Sequence, residues 1–192
     1  MGSIPLALML RWEDGESAHE QTLVIEPLFP GYGTTIGTAL RRVLLNSLPG
    51  AATVAVRIDG VDHEFSSIEH VKEDVVEILL NVKQLRLRIQ GDEAATLELD
   101  VKGERVVTAA DITPNATVFI GNPEQVIATL TSPNARLRME FIVEKGRGYL
   151  PTEARDSKQK LPLGTIAVDA IFTPMRSVGM VLENVRVGQI TN

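Results

Sequence analysis

The chain has 192 residues, enough to bury the core of one domain or of two small ones. Its 44% hydrophobic and 23% charged residues exclude a disordered chain, and its 4% aromatic content requires a core of Val, Ile, Leu and Ala. A net charge of −6 argues against a protein that coats nucleic acid, and the absence of cysteine excludes disulfides, thiolate metal sites and a cysteine nucleophile.

Targeting and membrane signals are weak. No stretch approaches the roughly 20 apolar residues that span a bilayer. The apolar run at residues 4–10 has no basic flank before it and no small-residue cleavage site after it, which argues against a signal peptide. We therefore expect a soluble, cytoplasmic protein with no membrane contact.

The first predicted elements are a strand and an amphipathic helix joined by a turn. Residues 21–28 are predicted as the strand, and the proline and glycines of residues 29–33 are typical of the turn. Thr34 or Thr35 is placed to cap the helix. Pro49 ends it, because the residue before a proline disfavours helical geometry. The apolar residues recur at the spacing of one helical face: Ile36, Ala39, Leu40, Val43 and Leu44.

A second strand and a second helix are predicted next. Residues 52–58 alternate as a half-buried strand does, and Asp59-Gly60 is a hairpin signal that leads to residues 61–65. Ser66 and Glu69 have the spacing of a capping box. The helix that this box begins carries an apolar stripe: Val71, Val75, Ile78, Leu79, Val82 and Leu85.

From residue 85 onward the pattern changes to short alternating runs separated by Gly, Pro and Asn, which is typical of an antiparallel sheet. A glycine turn is predicted at 146–149 and a polar loop at 152–161. Because strands dominate the middle of the chain, the predicted fold class is α+β rather than alternating α/β. The predicted strands are 85–89, 95–100, 117–120, 125–130, 136–144, 165–172 and 178–187.

One interpretation of the turn before the first helix is a dinucleotide site. Gly31, Gly33 and Gly37 lie between a strand and a helix, where glycines let a pyrophosphate approach, and Asp59 would hold a ribose hydroxyl. The third glycine is one place late for the usual fingerprint, and the hairpin signal already explains Asp59. A nucleotide-dependent oxidoreductase is therefore kept as the enzyme alternative.

Residue chemistry elsewhere predicts no catalytic centre. His19, His63 and His70 lack the i, i+4 spacing of a helical zinc pair. Acidic residues crowd the second helix, whereas a metal site or an acid–base pair needs carboxylates that converge from different elements. We therefore predict no catalytic residue, no metal site and no cofactor.

Several ordered blocks of the sequence resemble one family. The longest, EPLFPGYGTTIGTALRRVLLNSLPG, covers residues 26–50, and it is followed by IDGVDHEF at 58–65 and VKEDVVEILLNVK at 71–83. Shorter blocks are TAADI at 108–112, GRGY at 146–149 and VDA at 168–170. In this order, over about residues 22–188, the blocks resemble the α subunit of bacterial DNA-directed RNA polymerase.

The resemblance implies an α-subunit N-terminal domain of two parts. A dimerisation subdomain would comprise residues 1–49 and 175–192, and a strand-rich subdomain, residues 50–174, would be inserted between them. The family's α subunits form a homodimer that binds the β subunit and then the β′ subunit, and so scaffolds assembly for DNA-templated transcription. The active site and its Mg²⁺ belong to β and β′, so the implied role is a non-catalytic subunit of a nucleotidyltransferase.

Site residues are carried over by motif. Arg42 and Leu45 on the first helix resemble β contacts, and Arg42 projects from a different face than the apolar residues. Further positions that resemble β contacts are His63, Glu64 and Ser66. Positions that resemble the β′-facing region are Lys83, Val168 and Met175. Residues implied to pack inward or across the dimer are Ile36, Leu40, Val43 and Leu44.

Two departures from the family pattern bear on this expectation. The family continues past the position of Asn192 with a strand and a long helix, so we expect the dimerisation subdomain to be incomplete at its C-terminus. The family's linker and small DNA-contacting domain are also absent from the sequence, so direct DNA binding is not expected. A free-standing homodimeric interaction module is a third hypothesis.

Overall fold

The computed structural model describes residues 9–154, 164–184, 186–187 and 190–191. These residues form a mixed, sheet-rich α+β structure, in agreement with the predicted class. The chain divides into two units. The smaller comprises Met1–Leu44 and Ser177–Asn192, and the larger comprises Leu45–Arg176.

Strands far outnumber helices among the described residues. The helices are α1 (Tyr32–Asn46) and α2 (Val75–Val82), and short 3₁₀ turns lie at Ala109–Asp111 and Thr152–Ala154. The strands, in chain order, are β1 (Met9–Asp14), β2 (Gln21–Glu26), β3 (Pro49–Ile58), β4 (Leu87–Ile89), β5 (Ala95–Lys102), β6 (Arg105–Thr108), β7 (Val118–Ile120), β8 (Val126–Leu130), β9 (Arg136–Arg147), β10 (Tyr149–Leu150), β11 (Ile166–Ala167), β12 (Ala170–Ile171), β13 (Arg186–Val187) and β14 (Ile190–Thr191).

The smaller unit contains two antiparallel strand pairs and most of α1. Strand β1, which the sequence pattern does not predict, pairs with β2 and places Trp12 opposite Leu23. Strands β13 and β14 form the second pair. Helix α1 begins before the predicted caps Thr34 and Thr35, because the N–H of Tyr32 already donates to the Phe29 carbonyl at 3.0 Å.

The larger unit is built on a sheet with the strand order β5-β9-β3-β4-β7, and β11 pairs with β3 beside β4. Strand β3 lies at its centre, and Val54, Ala55 and Val56 are fully buried. Strand β9 alternates between core and surface, as a strand with one buried face must. Its core residues are Leu137, Met139, Phe141 and Val143, against which α2 adds Val75, Ile78 and Val82.

The predicted hairpin after β3 is wrong. The turn itself forms, with Gly60 at a φ of +80° and the N–H of Val61 donating to the Ile58 carbonyl at 3.2 Å. Residues 61–65 are not a strand, however. One edge of β3 is paired with β9 and the other with β4 and β11, so no edge is left for a hairpin partner.

The predicted start of the second helix is also wrong. The capping residue is Asp74, whose carboxylate accepts from the N–H of Glu77 at 2.7 Å. Residues 66–74 form a loop held to β8, because the Glu73 carboxylate accepts from the N–H of Thr129 at 2.6 Å and from its hydroxyl at 2.9 Å. Backbone bonds to β8 replace those that a longer helix would use.

The C-terminal strands are shorter than predicted. The run 165–172 contains only the two-residue strands β11 and β12, and residues 178–184 form no strand. The glycine turn predicted at 146–149 is partly strand, since β9 continues to Arg147. Of the polar loop predicted at 152–161, the part after Ala154 lies outside the described residues.

The segment 164–176 returns to the sheet through one close contact. Gly50 of β3 lies directly opposite Gly146 of β9, and Phe172 covers this pair. A Cβ at Gly50 would overlap the Phe172 carbonyl oxygen, and one at Gly146 would lie 2.6 Å from the ring. The pair of glycines therefore makes the space that the aromatic residue fills.

We expect Gly50→Ala to destabilise the larger unit by about 3 kcal/mol or more, because the added methyl displaces backbone rather than a flexible side chain. Urea unfolding followed by circular dichroism measures the loss. Gly121→Ala is the matched control: its Cβ would meet only ordinary contacts, at 3.5 Å, so it should stay within about 0.5 kcal/mol of wild type. Equal stabilities for the two variants would contradict the packing described.

Candidate functional site

A cluster of polar groups joins four segments of the larger unit. Lys83 follows α2 directly, and its Nζ donates to Asp169 Oδ2 at 3.1 Å. The other carboxylate oxygen accepts from the backbone N–H of Thr152 at 3.0 Å. The Tyr149 side chain lies beside the same carboxylate, whose charge acts on its hydroxyl. Asp169 therefore connects the end of α2 with the 3₁₀ turn and with the loop between β11 and β12, next to β10.

These contacts fix the charge states of the cluster. The Thr152 N–H, followed by the Lys83 ammonium, holds the pKa of Asp169 below its usual range. Loss of water, followed by the nearby Asp169 charge, raises the pKa of Tyr149. At neutral pH the pair is thus a carboxylate and a neutral phenol.

The three positions that resemble the β′-facing region lie at different depths. Lys83 is partly exposed in the cluster. Val168 is only 3% exposed, because it packs in the core and its N–H donates to the Val54 carbonyl at 2.9 Å. Val168 thus anchors its neighbour Asp169 from below the surface. Met175 is partly exposed later in the same segment. Their role as β′ contacts stays a prediction.

Three of the positions that resemble β contacts come together in the loop after β3. His63 and Glu64 are exposed, and Ser66 is partly exposed. The Ser66 hydroxyl lies 3.2 Å from His63 Nδ1, and its carbonyl accepts from the N–H of Val75 at 3.2 Å. The loop is therefore docked against the start of α2, while its tip faces solvent. Their role as β contacts stays a prediction.

Helix α1 buries none of its side chains. On its apolar face Leu40 is 37% and Val43 is 49% exposed, and Ile36 and Leu44 are partly exposed. Arg42 is exposed, and among the described residues no carboxylate forms an ion pair with it. The apolar face and the arginine are thus both available to other protein surfaces. Leu45, one position from the end of the helix, is partly exposed.

The glycines of the dinucleotide interpretation have another function. Gly33 and Gly37 lie inside α1 rather than in the turn before it. A Cβ at Gly33 would lie 2.7 Å from the Leu182 side chain, and one at Gly37 would overlap the Met180 sulfur. These glycines therefore admit side chains of the same unit at the place where a pyrophosphate would need to approach.

The described residues hold neither a metal site nor a membrane-spanning helix. No group of three or more His, Asp or Glu side chains is close enough to hold a metal ion there. No helix in that part of the chain is long and apolar enough to cross a membrane.

Comparison with known sequences decides the family. Residues 56–173 match the RNA polymerase Rpb3/RpoA insert domain. The chain belongs to this family. It is 53% identical over 168 residues to the DNA-directed RNA polymerase subunit alpha of Roseiflexus castenholzii, an alignment that covers 88% of this chain and 51% of that protein. The chain thus spans about half the length of this relative.

Membership of the Rpb3/RpoA insert domain family confirms the resemblance seen in the sequence blocks. The matched residues all lie within the larger unit, where the Lys83–Asp169 cluster is found. Sequence reasoning does not assign Asp169 or Tyr149 to the site. Both stand in blocks that carry the resemblance, GRGY and VDA, but their contact with Lys83 appears only once the chain is folded.

Proposed function

We propose that this chain acts as an α subunit of DNA-directed RNA polymerase, forming a homodimer that scaffolds assembly of the β and β′ subunits for transcription. The observation that carries the proposal is its 53% identity, over most of its length, to a protein named as that subunit. The exposed residues Leu40, Arg42 and Val43 of α1 and the exposed loop after β3 support it, because a scaffold needs surfaces that its own fold leaves open.

The proposal assigns different roles to the two parts of the chain. Residues 1–49 and 175–192 would form the dimerisation subdomain, and residues 50–174 the inserted subdomain. The position of the insert-domain match, residues 56–173, supports this division. The chemistry of nucleotide addition would belong to β and β′, with this chain as a non-catalytic, cytoplasmic member of the complex. Its net charge of −6 supports a role through protein contacts rather than direct DNA binding.

The β-binding residues in this proposal are on α1 and on the loop after β3: Arg42, Leu45, His63, Glu64 and Ser66. Arg42 is the most informative, because its guanidinium is exposed and forms no ion pair with the carboxylates that the structure describes, which suits a bidentate bond with a carboxylate of another protein. The β′-facing residues in this proposal are Lys83, Val168 and Met175.

We expect Arg42→Ala to weaken capture of the β subunit about 30-fold or more, because truncating one partner of a desolvated charge pair costs about 2 kcal/mol or more. Tagged chain and β are co-expressed, and β binding is then measured by titration. Arg136→Ala is the matched control, since Arg136 is exposed but already paired with Asp100 at 2.6 Å.

The two variants separate three outcomes. Loss of β binding with Arg42→Ala alone supports the assignment. Equal binding by wild type and both variants would remove Arg42 from the interface. A wild-type chain that never binds β would instead favour the free-standing interaction module and overturn the scaffold proposal.

The dimer contact is proposed on the apolar face of α1, where Ile36, Leu40, Val43 and Leu44 recur at helical spacing. A second copy is the occupant that the resemblance implies, and the matching face on each copy suits an isologous interface. The helix also has an opposite, polar side that includes Thr38, which is exposed and lies outside this stripe.

We expect Val43→Asp to raise the dimer dissociation constant about 100-fold or more, because it places an unpaired carboxylate in an apolar interface. Sedimentation velocity over a range of concentrations measures the change. Thr38→Asp adds the same charge to the same helix and should leave the dimer intact. Unchanged dimerisation of Val43→Asp, or a monomeric wild type, would contradict the proposed contact.

A further inference from the structure

Strands β10 and β12 present an aromatic and an aliphatic side chain beside the Lys83–Asp169 pair. The two strands are antiparallel, and Tyr149 is directly opposite Ile171. Opposed residues in such a pair have side chains on the same face. Tyr149 is 56% and Ile171 is 49% exposed. Both apolar groups therefore lie open to solvent on one face of a short strand pair.

The aromatic ring is exposed on a fixed stretch of backbone. Tyr149 is held in β10 by its pairing with β12, and its side chain lies beside the Asp169 carboxylate. A tyrosine side chain has few rotatable bonds, so it loses little conformational entropy when another surface covers its ring. Tyrosines are enriched among the residues that dominate protein interfaces.

The Lys83 side chain is also held in place by a contact within the chain. An ammonium group has three N–H donors, and the described contacts occupy one of them, the bond to Asp169. Because Asp169 also accepts from the Thr152 backbone, the lysine is paired with a carboxylate that cannot swing away. The ammonium is thus held at one place with donors left for an acceptor on another protein.

We propose that Tyr149 and Ile171 are direct contacts of the β′-facing surface, and that Asp169 is the positioning residue that holds Lys83 in place beside them. This inference rests on the proposed function, which puts β′ at Lys83. The partner surface would present an apolar depression for the ring and for the isoleucine, with a carboxylate or carbonyl oxygen facing the ammonium. Each carboxylate oxygen of Asp169 already accepts one bond within the chain, and Asp169 acts through Lys83.

The test uses the full chain purified with β, to which β′ is added by titration. We expect Tyr149→Ala to weaken β′ binding about tenfold or more, as interface tyrosines commonly do, and Tyr149→Phe to retain most of it. Phe119→Ala is the matched control, because Phe119 is a similarly exposed aromatic residue of the same unit on β7. It should bind β′ as wild type does.

Ile171→Thr provides a second contact variant that keeps the branched shape suited to a strand, and it should weaken β′ binding severalfold.

The positioning role is tested by a double-mutant cycle. Asp169→Asn and Lys83→Met should each weaken β′ binding, and the double variant should be little worse than either one, because both act through the same ion pair. Capture of β and the thermal unfolding midpoint should stay close to wild type throughout.

The outcomes distinguish this inference from the proposed function. If wild type captures β and β′ while Tyr149→Ala and Ile171→Thr bind β′ normally, the contact assignment fails and the scaffold role stands. Strictly additive effects of Asp169→Asn and Lys83→Met would overturn the positioning role. A wild-type chain that binds neither subunit would overturn the proposed function itself.

Discussion

The larger unit depends on the contact of Phe172 with the glycine pair Gly50 and Gly146. Strands β3 and β9 supply the glycines at opposed positions. The Phe172 carbonyl occupies the space beside Gly50, and its ring occupies the space beside Gly146. This contact fixes the segment 164–176 on the sheet, and the segment in turn carries Asp169 to Lys83. Residues far apart in sequence thus form one surface because a backbone approach that only glycine permits holds the returning chain in place.

The charged groups of the larger unit fall into two kinds. Several on the surface are paired with one another: Asp100 with Arg136, Arg57 with Glu140, and Asp92 with Lys145. Such pairs are satisfied within the fold and contribute little, individually, to stability or recognition. The Lys83 pair is different, because its carboxylate also anchors a turn and lies beside the exposed side chains of Tyr149 and Ile171. Recognition by a partner is expected where a fixed charge adjoins uncovered apolar surface.

The sequence predicts local features of this protein better than it predicts which strands pair with the same edge of a neighbouring strand. The alternation of β9 and the apolar stripe of α1 are both readable from residue spacing, and both elements form. The hairpin after β3 fails because other strands occupy its edges, which no local signal reveals. Strand β6 is missed, since four residues give too short a pattern. At the site, the resemblance supplies Lys83, but the contact between Asp169 and Lys83 spans 86 positions and requires the folded chain.

We propose that the surfaces through which this chain binds its partners are already formed in the free chain. Hydrogen–deuterium exchange of the chain alone and assembled with β and β′ tests it most directly. We expect added protection in the second half of α1, in residues 63–66 and in residues 149–152 and 169–175, with unchanged exchange in the β5 and β9 amides. Unchanged exchange in those four segments would contradict the claim. So would new protection throughout the sheet, which would show that the larger unit folds only upon assembly.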